Sequence, residues 1–164
     1  MATPEFILDL RAKIGTDELW LIGATAVVLR DRDVLLIQRA DNGQWSPVTG
    51  IVDPGEHPAA AAVREVAEEA GVRVAVDYLA WVNVTDTVVY PNGDRSRYLD
   101  HTFSCTWLSG EPFPADDETT AARWWDLADL PPLGVAVASR IAAVVDSRAR
   151  GDRVTALTPP LGSG

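Results

Sequence analysis

The stretch Gly50-Ile-Val-Asp-Pro-Gly-Glu56-His57-Pro58-Ala-Ala-Ala-Ala-Val63-Arg64-Glu65-Val66-Ala67-Glu68-Glu69-Ala70-Gly71-Val72 decides how the chain reads. Residues 50–57, with Pro54 and Gly55, predict a loop. Pro58 suits the first position of a helix, where its missing N–H costs nothing. Residues 59–70 have strong helix propensity, and Gly71 fits the left-handed residue that closes a helix. Ala62, Val63, Val66, Ala67 and Ala70 form one apolar stripe at this spacing. Glu65, Glu68 and Glu69 fall at i, i+3 and i+4, so their carboxylates project from one side. Three like charges this close repel, and the pKa of at least one should rise. A hard divalent cation such as Mg²⁺ relieves the conflict, because it takes oxygen ligands and keeps room for substrate phosphates. Taken alone, three glutamates also fit a solvated acidic helix face, so the surroundings must decide.

Upstream of this stretch, residues 5–14 place Phe6, Ile7, Leu10 and Ile14 at helical spacing, with Gly15 as a stop. A strand is expected over residues 19–29, a turn at 31–33, a returning strand over 34–38 and a loop over 40–44 before Trp45. Downstream, residues 72–90 and 97–109 read as two long β stretches joined by Pro91-Asn92-Gly93-Asp94, an Asn-Gly hairpin signal. Residues 121–125 predict a short strand and 134–148 a final helix, with a loose tail from Pro159. Mixed strands with one helix in mid-chain and one at the end give an α/β class, a sheet flanked by helices.

The 164 residues, 47% hydrophobic and 23% charged, describe an ordinary globular chain with room for one sizeable core. No apolar run approaches the ~20 residues that span a bilayer, and the first residues lack the basic and apolar regions of a secretory signal. The expectation is therefore no membrane association. The single Cys105 rules out an internal disulfide and fits a cytoplasmic location; it lies in a strand-like stretch and reads as a buried spectator. A formal net charge of −10 argues against a nucleic-acid polymer as partner. It leaves small phosphorylated ligands open, provided divalent cations stand between the two sets of negative charge.

Gly50, Glu56, Arg64, Glu65, Val66, Glu68, Glu69, Gly71 and Val72 occupy every fixed position of the Nudix box, and the chain resembles the MutT-like Nudix hydrolases over about residues 21–130. Residues 34–39 and Trp45 are similar to the strand and tryptophan that lead into the box in such proteins. The resemblance implies a Nudix fold, an α/β/α sandwich with a mixed central sheet. It implies a single domain over 1–164, with a helical lead-in at 1–18, the box at 50–72 and a tail at 155–164. It implies a hydrolase that cleaves the phosphoanhydride of a nucleoside diphosphate derivative, with Mg²⁺ as cofactor and Mn²⁺ as a substitute. A small nucleotide is the expected partner. Many members dimerise, and a homodimer stays open here.

Carried onto this sequence, the resemblance makes Glu65, Glu68 and Glu69 metal ligands, with Glu65 or Glu69 the alternative acceptor of the attacking water's proton. Arg64 and Glu56 brace the loop against the helix. The family usually has Pro-Gly-Gly where this chain has Val48-Thr49-Gly50, and Thr49 would lend the metal its backbone carbonyl. From Asp116-Asp117-Glu118, Glu118 is the candidate late-loop carboxylate over the metals, with a solvated loop as the other reading. Arg39 could contact substrate phosphate or pair at the surface; Arg95 and Arg97 could contact substrate but read better as solvated. Trp45 fits packing better than base stacking. His57 stands where a helix-capping Ser is common, and His101 reads as a core or surface residue. No motif selects between nucleoside triphosphates, ADP-ribose-like nucleotide sugars and dinucleoside polyphosphates: Thr87 and Val88 stand where ADP-ribose hydrolases often carry proline, and Tyr90 suits a strand as well as a substrate contact. A nucleotide-binding domain without catalysis is the alternative function, but such domains lose box carboxylates. A Nudix-fold isomerase would need a cysteine motif that Cys105 does not provide.

Overall fold

The computed structural model describes residues 3–157, so the expected loose tail from Pro159 lies outside the described residues. In chain order the elements are α1 (Glu5–Ile14), β1 (Leu19–Arg30), β2 (Asp33–Arg39), β3 (Trp45–Ser46), β4 (Val48–Ile51), α2 (Pro58–Ala70), β5 (Arg73–Val84), β6 (Val88–Val89), β7 (Arg95–Ser109), β8 (Thr119–Asp126) and α3 (Val135–Arg150).

Residues 23–29 of β1 are buried on both faces, the pattern expected of a strand covered by helices on either side. Ala24, Ala26 and Val28 point into a core shared with Ala61, Ala62, Val66 and Ala70 of α2. Val27 and Leu29 point the other way, into a core shared with Ile141 and Val144 of α3. Ile7 of α1 closes a third, smaller cluster with Leu19 and Leu21. The strands form one mixed sheet in the order β3-β2-β1-β7-β5, with β4 also on β1, β6 on β7 and β8 on β2. β1 and β7 run parallel from Leu19↔Ser96 to Leu29↔Thr106, and the other pairs are antiparallel. This is the α/β/α sandwich with a mixed sheet that the sequence implied. α3 is tied down by ions as well as by apolar contact: Arg140 pairs with buried Asp100 at 3.2 Å, and Arg148 pairs with Asp77.

Several expectations need correction. Residues 72–90 are not one strand: β5 stops at Val84, and only Val88 and Val89 resume pairing, against Ser96 and Arg95. Thr85 ends the ladder, its hydroxyl accepting from the Tyr98 amide at 3.0 Å while its own amide donates to the Tyr98 carbonyl at 2.9 Å. Residues 50 and 51, expected in a loop, belong to β4, and Trp45 and Ser46 form the short β3. Thr155 and Ala156, assigned to the tail, are bonded along β5: the Thr155 hydroxyl donates to the Leu79 carbonyl at 2.8 Å, and Ala156 bridges Trp81.

The helix over 58–70 stands where expected. His57 takes the capping role anticipated for that position, its Nδ1 accepting from the Ala59 amide at 3.2 Å. Gly71 closes the helix at φ 67°. Its buried face differs from the expected stripe, however: Val63 and Ala67 are exposed, and Glu65 and Glu69 are buried beside Ala61, Ala62, Val66 and Ala70. Cys105 is fully buried, and burial pushes its thiol up to about 12, an unreactive spectator. Among the described residues no helix is long and apolar enough to cross a membrane.

Candidate active site

The site is organised by Arg64. Its Nε and Nη2 donate to the two oxygens of Glu56, both at 2.9 Å. Nη2 also donates to the Ile51 carbonyl at 3.3 Å, and Nη1 to Glu65 at 2.8 Å and Glu68 at 3.2 Å. Glu56 in turn accepts from the Asp53 amide at 3.1 Å. One guanidinium thus fastens the end of β4, the loop and the middle of α2 together, the bracing expected of the Arg64–Glu56 pair. Arg64 holds the Glu56 carboxyl below the usual range.

The three helix glutamates are placed unequally. Glu65 and Glu69 are only 3% and 5% exposed, whereas the Glu68 side chain is 41% exposed. A helix that docks through Ala62, Val66 and Ala70 carries the i−1 and i+3 positions to the sheet side of its edge and leaves Glu68 on the rim. Burial pushes the Glu65 carboxyl up to about 7, against the pull of Arg64. Burial, followed by the charges of Glu65, Asp116 and Glu118, pushes Glu69 up to about 8. Glu65 fits because Gly50 has no side chain: a β-carbon there would lie 2.1 Å from Glu65 Cδ and Oε1. The sequence marked Gly50 as a motif position but gave no sign of this contact.

Thr49 needs no glycine-like backbone, since Asp31 is the only non-glycine residue with positive φ among those described. Its carbonyl direction follows from the ladder. Val52 N–H donates to the Ile22 carbonyl at 3.0 Å, so alternate pairs 24/50 and 26/48 carry the β1–β4 bonds, and 23/51 and 25/49 do not. The Ile51 carbonyl accordingly faces away from β1, toward Arg64, and the Thr49 carbonyl leaves the strand on that same edge.

The late acidic loop reaches the same region. Ala115 N–H donates to the Glu69 carbonyl at 3.2 Å, and Ala40 N–H to the Glu118 carbonyl at 2.7 Å. Glu118 raises the pKa of both Glu65 and Glu69, and Asp116, which the sequence reading had not singled out, also raises that of Glu69. Arg39 forms a two-pronged pair with Asp41 at 2.7 and 3.0 Å, the surface pairing that was one of its two readings. The Glu69 charge nevertheless contributes to its raised pKa.

Other candidates fall outside this group. Trp45 packs edge-on against Trp125 at 5.2 Å with the Arg123 guanidinium 4.7 Å from its ring. His101 Nδ1 lies 3.3 Å from the Gly23 carbonyl and its ring stacks near Phe103. Arg97 bonds Thr87 and pairs with Glu18, and Arg95 is exposed. Tyr90 is the exception: it shares a hydroxyl hydrogen bond of 2.6 Å with Tyr98, and both tyrosines are close enough to Arg39 to interact with its charge.

Among the described residues no three His, Cys, Asp or Glu side chains converge tightly enough to form a ready cage for a metal ion. The reason is visible: Glu65 and Glu68 are drawn onto Arg64. The donor set still suits a hard divalent cation. Glu65 and Glu69 are buried carboxylates that repel each other, no hydrogen bond or ion pair of the Glu69 carboxylate is found among the described residues, and every donor at hand is oxygen.

A pH dependence follows. Glu65 and Glu69 have folded-state pKa values above the ordinary 4.5, so the folded metal-free chain retains protons that the unfolded chain releases. Their stabilising contribution is full below about pH 4.5 and is lost as the pH rises through 7 to 8. Melting temperatures in chelator should fall across that window, and millimolar Mg²⁺ or Mn²⁺ should recover more stability at its upper end, where the carboxylates bind metal without giving up protons. A metal increment that is absent, or equal at pH 5 and pH 8, would contradict the site.

A mixed sheet between helices, with an arginine-braced loop and an acidic helix at the end of β4, defines the class. The family model of the NUDIX domain matches residues 20–144, and the chain belongs to the Nudix family. That family works with divalent cations on small nucleotide substrates. A MutT-like protein of Streptomyces ambofaciens is 37% identical over 94 residues, 52% of this chain and 61% of the relative. The NAD-capped RNA hydrolase NudC of Pseudomonas aeruginosa is 36% identical over 114 residues, 65% of this chain and 36% of the relative. The chain thus spans less than two thirds of the length of either. A crystal structure of an ADP-ribose pyrophosphatase from Streptococcus suis matches with TM-score 0.65 and 26% identity, covering 84% of this chain and 98% of that one.

Proposed function

We propose that the protein is a Mg²⁺-dependent pyrophosphohydrolase that cleaves the phosphoanhydride bond of a nucleoside diphosphate derivative, such as an ADP-ribose-like nucleotide sugar or a nucleoside triphosphate. The observation that carries this reading is the pair of buried, mutually repelling carboxylates, Glu65 and Glu69, set on a helix that Arg64 locks to Glu56 and to the edge of β4. The residues that would hold the cation are Glu65, Glu68, Glu69 and the Thr49 carbonyl, with Glu118 from the late loop. Bound there, Mg²⁺ would polarise phosphoryl oxygens and offset developing negative charge; Mn²⁺ would substitute for it.

The chain's own residues do the rest. Arg64 and Glu56 fix the loop, so the carboxylates keep their positions as charge moves. One of Glu65 and Glu69 would instead take the proton from the attacking water. Arg39, paired with Asp41, would contact a substrate phosphate. In-line attack on one phosphorus breaks the bridging P–O bond and leaves two phosphate products.

The Streptococcus suis similarity, which covers nearly the whole of that protein, favours a nucleotide sugar, and the net charge of −10 favours a small substrate over a nucleic-acid polymer. One domain over 1–164 and a cytoplasmic location complete the proposal. Phosphate release across a panel of ADP-ribose, other nucleotide sugars, nucleoside triphosphates and dinucleoside polyphosphates, with Mg²⁺ and with Mn²⁺, is expected to show at least one substrate turned over only when metal is present. No cleavage of any member would leave the binding-domain alternative.

A further inference from the structure

Gly71 is constrained twice. Its φ of 67° is the left-handed conformation that closes α2, and a β-carbon at this position would lie 2.1 Å from Cε1 of Phe113. The first constraint belongs to the helix end; the second belongs to a ring from a loop more than forty residues further along the chain. Phe113 is 54% exposed, so its ring does little to build the core. What it does is lie on the end of the box helix. The contact is backed by backbone: Phe113 N–H donates to the Ala70 carbonyl and Ala115 N–H to the Glu69 carbonyl, both at 3.2 Å. These carbonyls are among the last of α2, which have no partner within the helix.

The segment is also pinned on either side. Upstream, Trp107 Nε1 donates to the Gly110 carbonyl at 2.8 Å, and a side chain at Gly110 would meet the Gly71 carbonyl at 3.2 Å. Downstream, Ala40 N–H holds the Glu118 carbonyl at 2.7 Å, Glu118 N–H is held by the Asp116 carboxylate at 3.1 Å, and Thr119 pairs with Arg39. Residues 113–118 therefore form a strap from the last turn of α2 to the end of β2.

We infer that Phe113 is a positioning residue: seated on Gly71, it holds this strap so that the Glu118 carboxylate joins Glu65 and Glu69 around the metal. The inference rests on the metal-dependent reading above and extends it to a residue that touches neither metal nor substrate. In support, the segment that carries Glu118 is bonded at one end to the Glu69 and Ala70 carbonyls of the box helix and at the other to the Ala40 amide, so its course beside that helix is set at both ends.

The test is Mn²⁺ affinity of the full chain, measured by titration without nucleotide, for wild type, Phe113→Ala, Phe113→Leu, Glu118→Gln and the Phe113→Ala/Glu118→Gln double variant. Phe113→Ala and Glu118→Gln should each weaken Mn²⁺ binding about tenfold, the usual range for a group that orients a metal ligand or for its loss. Phe113→Leu, which keeps an apolar cap, should stay within about twofold of wild type, and the double variant should be no weaker than the weaker single variant, because both remove the same ligand. Hydrogen exchange at the Phe113 and Ala115 amides should quicken in Phe113→Ala while the α2 interior keeps its protection. Wild-type Mn²⁺ affinity in Phe113→Ala, losses that multiply in the double variant, or a wild type that binds no Mn²⁺ would overturn the inference. Wild type that binds Mn²⁺ with the expected pattern but releases phosphate from no nucleotide would overturn the hydrolase reading and leave the strap standing.

Discussion

Glu69→Gln is expected to lower turnover at saturating Mg²⁺ by about 10²-fold or more, while the metal-free protein melts no lower than wild type at pH 8. The two halves have one cause. Glu69 is 5% exposed, and its carboxyl is pushed up to about 8 by burial and by neighbouring carboxylates. In the absence of metal, its charge is a burden on the fold at alkaline pH, and the neutral amide removes that burden without changing the shape. Once metal is present the same charge becomes a ligand, and its loss removes direct support for the ion. Steady-state rates with parallel melting curves separate the possibilities. An unchanged rate would take Glu69 out of the site, and a large fall in metal-free stability would make its role structural.

Gly50→Ala should be nearly as damaging. The glycine has no positive φ, so the backbone does not demand it; the space does. A methyl group would lie 2.1 Å from the Glu65 carboxyl, far inside contact distance, and either Glu65 or the end of β4 must move. Overpacking of this kind costs about 1–3 kcal/mol, roughly 2–12 °C in Tm at this chain length. The displaced carboxylate should cost about 10²-fold in turnover, since an error of about 1 Å in a catalytic group is enough. Melting curves and rates check both parts, and a Gly50→Ala protein with wild-type turnover would show that Glu65 does not act from its position against β4.

Much of this site was legible in one dimension. The helix over 58–70 could be bounded because Pro58 and Gly71 carry its start and stop signals locally, and the Glu56–Arg64 brace followed from the family resemblance. The exposure of Glu68 and the burial of Glu65 and Glu69 could not be read, because helical spacing fixes which residues share a face but not how the helix rotates as it docks. Placing Val63 and Ala67 on the apolar stripe was an error of that kind. β3 and β4 were missed for a different reason: strands of two and four residues are set by their partners on β1 and β2, not by their own pattern. Likewise, the break after Val84 depends on a hydrogen bond between Thr85 and Tyr98, thirteen residues apart. The reasons for Gly50 and Gly71 each involve a side chain from another element, Glu65 and Phe113.

The most direct measurement is ³¹P NMR of ADP-ribose incubated with the protein in ¹⁸O-enriched water, with Mg²⁺ and with chelator. The account predicts conversion to AMP and ribose 5-phosphate only with metal, and ¹⁸O in one of the two phosphates, because a single water attacks a single phosphorus. A second substrate from the panel takes its place if ADP-ribose is not cleaved. Cleavage that persists in chelator, or no phosphoanhydride broken across the panel with Mg²⁺ or Mn²⁺, would contradict it.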